Sequence, residues 1–128
     1  MLKRREKLMN RISKFIKTFF MGDYESFANQ LGFTSWNEVI ENTFDIFQIP
    51  PDACYFATQL LDRTWIVWSD EGYPPYSFLK FNTWYEAIKH LKTIFDANGY
   101  PERCWDPEGF DPGDDIFNNI PDKTKRIE

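Results

Sequence analysis

The chain has 128 residues, of which 42% are apolar and 19% aromatic, and its formal net charge is −5. That length and apolar share call for one folded domain and exclude a disordered acidic chain. No apolar run approaches the ~20 residues of a membrane-spanning helix, so stable membrane insertion is not expected.

Charge is split along the chain. Residues 1–20 carry seven Lys or Arg against one Glu, whereas residues 21–128 carry nineteen Asp or Glu against eight Lys or Arg. Leu8, Met9, Ile12, Phe15, Ile16, Phe19 and Phe20 recur at spacings of three and four. This predicts a basic amphipathic helix over 1–21. No uninterrupted apolar stretch follows the basic residues, which argues against a signal peptide.

The next expected helix has Asp23 at its start, Tyr24, Phe27, Ala28 and Leu31 on its apolar face, and Gly32 as its stop. Ser35 with Glu38 forms a capping-box pattern. It opens a third helix whose face runs through Trp36, Val39, Ile40, Phe44 and Phe47 to the Pro50-Pro51 stop. Three short strands follow, over 53–61, 64–68 and 76–81, and short links between them favour an antiparallel meander. Thr83 and Glu86 form a second capping box, ahead of a periodic face of Trp84, Ala87, Ile88, Leu91, Ile94 and Phe95 that Gly99 closes. Residues 101–122 hold seven acids, one base, four prolines and two glycines, so little regular structure is expected there. Trp105, Phe110, Ile116, Phe117 and Ile120 are available to pin that segment down, and 122–128 should fray.

The predicted fold class is therefore α+β: N-terminal helices, a short antiparallel β-meander, a packed amphipathic helix and an irregular acidic C-terminal segment. The predicted organisation is a basic helix over 1–21, an α+β core over 22–100 and an acidic, aromatic segment over 101–128. Thirteen Phe, six Tyr and five Trp exceed what one small core holds, which predicts some aromatic surface.

Motifs for catalysis are missing from the sequence. His90 is the lone histidine, and the glycines are scattered singly, with no phosphate-cradling loop. The acids near Asp106 and Glu108 supply only a fragment of a calcium loop. Neither enzymatic activity nor a cofactor is expected. Cys54 and Cys104 stand far apart with no CxxC, which predicts reduced thiols and a cytoplasmic location.

What remains is recognition by charge and aromatic surface. Asp106, Glu108, Asp111, Asp114 and Asp115 are the expected field sources, and Tyr73, Trp105 and Phe110 the expected anchors. The expected role is a small acidic protein-binding module. It would act as an inhibitor or immunity-type protein, masking the basic surface of a nucleic-acid-handling protein. The alternative is direct nucleic-acid binding through Lys3, Arg4, Arg5, Lys7, Arg11, Lys14 and Lys17. Nothing in the sequence fixes the oligomeric state.

Overall fold

The computed structural model describes residues 21–49 and 53–126. The basic residues expected to form the leading helix, positions 3–17, lie outside them. The described chain runs α1 (Met21–Gln30), α2 (Trp36–Glu41), β1 (Thr43–Ile49), β2 (Ala53–Gln59), β3 (Trp65–Ser69), β4 (Phe78–Phe81) and α3 (Trp84–Ala97). Two 3-10 turns follow, at Glu102–Cys104 and Lys123–Lys125. The four strands form one antiparallel sheet in chain order, giving an α+β fold.

Local signals set the helix ends. Gly32 turns to φ +92° after α1, and the Phe33 N–H reaches back to the Ala28 carbonyl at 2.9 Å. That pair of features is the glycine stop of a Schellman motif. Ser35 accepts from the Glu38 N–H at 3.3 Å, while the Glu38 carboxylate turns to Thr34 instead of closing the box on Ser35. At α3 the Thr83 hydroxyl accepts from the Glu86 N–H at 3.2 Å and donates to the Glu86 carboxylate at 3.1 Å, a cap reinforced between side chains.

The third helix is much shorter than its apolar spacing predicts. It ends at Glu41, and Phe44 and Phe47 belong to β1. Asn42 caps the helix, and the Thr43 hydroxyl donates to the Val39 carbonyl at 2.6 Å as the chain turns into the sheet. A bulge between Asp45 and Phe47 then places Ile46 and Phe47 in the same core.

The sheet is buried on both faces, and this accounts for the aromatic surplus. On one side α1 and α2 supply Phe27, Val39 and Trp36 to a core completed by Phe56, Ile66 and Trp68. On the other, α3 supplies Ala87, Ile88, Leu91 and Phe95 against Phe44, Trp65 and Val67. Two cores hold what one could not. Tyr73 and Tyr85 are the strongly exposed aromatics among the described residues, fewer than the composition leads one to expect.

The 101–126 segment has little regular structure but is tightly docked. Trp105 forms a β-bridge with Phe47, and its ring lies 5.3 Å from that of Phe95. The chain then runs along β1, with the Asp106 N–H on the Ile46 carbonyl at 3.2 Å and the Glu108 N–H on the Asp45 carbonyl at 2.9 Å. This covers an edge that would otherwise be open to another strand. Residues 122–126 do not fray: Arg126 is buried, donating to the Thr43 carbonyl at 3.0 Å with its guanidinium over the Phe44 ring. Ile120 does not pin the segment, as it remains largely exposed.

Candidate functional site

The C-terminal segment distributes its carboxylates unevenly. Glu108 is only 4% exposed; its carboxylate accepts from the Asp45 N–H at 3.0 Å and fastens the segment to β1. Asp106, Asp111, Asp114 and Asp115 are exposed. Asp111 and Asp114 lie 2.9 and 3.9 Å from the Lys125 ammonium, which their company pushes above the ordinary lysine pKa. Asp115 accepts from the backbone N–H groups of Phe117 and Asn118 and from the Asn118 amide, and these bonds hold its pKa below the usual carboxylate range. The structure thus draws Asp111 and Asp114 together around one cation, places Asp106 and Asp115 outward on either side, and turns Glu108 inward.

The three expected anchors do not form one patch. Trp105 and Phe110 are half-buried and pack on the α3 side of the sheet; Phe110 leans on Trp84, and Lys92 lies over the Trp105 ring. Tyr73 is 63% exposed on the loop between β3 and β4, whose Tyr76 enters the opposite core. Cys54 and Cys104 are likewise divided between the two sides and carry no disulfide. His90 is half-buried against Phe81. Among the described residues no three His, Cys, Asp or Glu side chains gather closely enough to hold a metal ion, and no helix is long and apolar enough to cross a membrane.

No protein-family model, curated protein or solved structure matches this chain.

The site must therefore be read from its own geometry, and that geometry adds a second surface. The hairpin joining β2 and β3 closes through Leu60 and Thr64, with Arg63 in the left-handed region at φ 71°. A groove opens on either side of its tip. One, of about 450 Å³, runs between Leu31, Leu60 and Phe78 on the α1 side. The other, of about 380 Å³, lies between Arg63, Trp65, Tyr85, Phe117 and Ile120 on the α3 side. Leu61, Tyr85 and Ile120 are 70%, 48% and 62% exposed, so three of the most exposed large apolar residues cluster at this end of the sheet. Sequence patterning could not find this surface, because it is assembled from segments 59–65, 82–85 and 117–120. The one local clue is Arg63, a charged residue where a three-residue hairpin ordinarily uses Gly or Asn.

Proposed function

We propose that this chain is a small protein-binding module of the cytoplasm, acting without catalysis, whose acidic C-terminal segment engages a partner with a basic surface. The supporting observation is the fastening of that segment. The Trp105 bridge, the Glu108–Asp45 bond and the buried Arg126 fix its backbone along β1 and the second core. Asp106, Asp111, Asp114 and Asp115 project from that fixed frame. Carboxylates on a preset frame meet a basic partner without first losing the freedom of a flexible tail. Complementary fields also speed encounter and favour basic partners over acidic ones. An inhibitor that occupies the phosphate-binding surface of a nucleic-acid-handling protein fits this chemistry.

The test compares two variants of equal net charge. One converts Asp106, Asp114 and Asp115 to Asn; the other neutralises Asp23, Glu71 and Glu86 as amides. The probe is an arginine-rich peptide, titrated at several salt concentrations. The C-terminal variant is expected to lose most of the affinity and to flatten its salt dependence, and the control variant to lose little. Equal losses would mean that net charge alone acts, and would refute the reading.

A further inference from the structure

We infer that the groove beside Arg63 is a second binding surface, of opposite polarity, which takes an acidic and apolar segment of a protein partner. This goes beyond the acidic face described above and does not depend on it.

Three observations combine. First, Arg63 holds a left-handed backbone at φ 71°, a conformation that costs a non-glycine residue about 1 kcal/mol. The turn gains nothing from the side chain: the Arg63 N–H and carbonyl make its local bonds, and glycine would make them equally well. Backbone strain at a residue the fold does not need is a mark of functional positions. Second, the Arg63 guanidinium has no carboxylate partner among the described residues, although the chain is rich in acids. Its neighbour Asp62 is committed elsewhere, accepting from Thr64 and pairing with Lys80 at 3.3 Å on the far side of the hairpin. Lys89, which lies beside the groove over the rings of Tyr85 and Phe117, also lacks an ion pair among the described residues. Arg103 and Lys123 are likewise without an ion pair among the described residues, Lys123 donating to the Asn42 amide oxygen, whereas Lys80, Lys92, Lys125 and Arg126 are each paired with an acid.

Third, the lining of the groove contains no carboxylate. Its floor is apolar, from Trp65, Trp84 and Phe117, and its rim carries the amides of Gln59, Asn82 and Asn118. The nearby acids face their own structures: Glu86 accepts from the Thr83 hydroxyl, and Asp115 holds Asn118. A ligand entering this groove therefore meets the Arg63 guanidinium, amide donors and an aromatic floor, with the Lys89 ammonium over the Tyr85 and Phe117 rings beside it. The chemistry it matches is a carboxylate next to a large apolar side chain. Arginine suits the first, through its planar fork, and the exposed Tyr85 and Ile120 suit the second.

The experiment uses the full chain and two sets of immobilised ten-residue peptides. One set is random in Glu, Asp, Phe, Leu, Tyr, Ser and Gly; the other replaces Glu and Asp by Gln and Asn. Residues 1–20 carry seven Lys or Arg and can hold an acidic peptide themselves, so the groove's share is read as the retention that the groove substitutions remove. Wild type is expected to be retained on the acidic set and not on the amide set. Arg63→Gly should weaken that retention about tenfold, in line with loss of a central arginine anchor. Its thermal midpoint should be unchanged or raised, which separates lost binding from lost folding. Tyr85→Ser should weaken retention as well. Equal retention on both sets, indifference to both substitutions, or retention on single-stranded RNA in place of the peptides would overturn the inference.

Discussion

Single atoms decide how much a substitution can cost in so compact an interior. Thr58 is wholly buried; its hydroxyl lies 2.6 Å from that of Thr43 and accepts from the Trp68 indole N–H at 2.9 Å. Thr58→Val keeps the shape and removes the acceptor, which leaves the indole donor unsatisfied in an apolar site. The expected loss is about 1–3 kcal/mol, read as a lower urea midpoint with an unchanged slope. Two glycines offer a sharper contrast. Gly109 and Gly113 both have positive φ, at +98° and +89°. A Cβ on Gly109 would come within 2.7 Å of the Pro121 Cβ and 3.1 Å of Phe44, whereas one on Gly113 meets open space. Gly113→Ala should therefore lose about 1 kcal/mol, for backbone strain alone. Gly109→Ala should lose about 3 kcal/mol, because it also forces Phe44 and the 121–122 backbone apart. Similar losses at the two sites, measured by urea unfolding, would show that the close approach at Gly109 is relieved without strain.

At the level of elements, the C-terminal segment acts as a strap across β1. Trp105→Ala removes its ring contacts with Phe47 and Phe95 and should lower stability by about 3 kcal/mol. Limited proteolysis is then expected to cut first within 106–126, leaving the α1-to-α3 body intact. The strap also has a defined pH range. Asp115 and Asp122 have pKa values below the ordinary 3.8, mainly through hydrogen bonds from Asn118 and Thr124 respectively. The Lys125 value lies above the ordinary 10.5, mainly through Asp111. A depressed carboxylate stabilises above its unfolded pKa and loses that effect as pH falls through the folded value; a raised lysine stabilises below its unfolded pKa and loses it as pH rises through the folded one. Protection of the strap should thus be flat between about pH 5 and about pH 9, a unit or more inside the ordinary values of 3.8 and 10.5, and fall on both sides. Proteolysis of a Lys125→Met variant should lose only the alkaline limb.

The elements also differ in how far the sequence disclosed them. The helix from Trp84 was legible because a capping box, a continuous apolar face and Gly99 all agree. β1 was not, since Trp36, Val39, Ile40, Phe44 and Phe47 satisfy a helical spacing by coincidence, and short apolar runs fit either period. The signal against a long helix was the polar Asn42-Thr43 step, whose side chains bond back to Glu38 and Val39 and end it. Of the candidate site, the acids could be named from the sequence. That Glu108 faces Asp45, and that Arg63 faces a groove, depended on tertiary contacts between segments far apart in the chain.

Across the whole molecule, the two cores are joined by strands that serve both. In β3, Trp65 and Val67 enter the α3 side while Ile66 and Trp68 enter the α1 side; in β2, Phe56 and Ala57 divide in the same way. Neither layer can leave without exposing the back of strands that the other needs. The fold should therefore open as one unit, although its helices lie on opposite faces. Phe27→Ala strips a ring that touches Trp36, Trp68 and Tyr76, and should lose about 4 kcal/mol; Leu91→Ala, in the opposite core, should lose about 3 kcal/mol. Native-state hydrogen exchange separates the alternatives. With one cooperative unit, Phe27→Ala lowers protection in α3 as much as in β2 and β3, and Leu91→Ala lowers it in α1 by its own full amount, wherever those amides exchange by global opening. If Phe27→Ala instead loosened α1 and α2 and left α3 at wild-type protection, the sheet would be a partition between two independently stable halves. The groove on the α1 side of the hairpin would then open and close separately from the one on the α3 side, which Phe117 and Ile120 of the strap help to line.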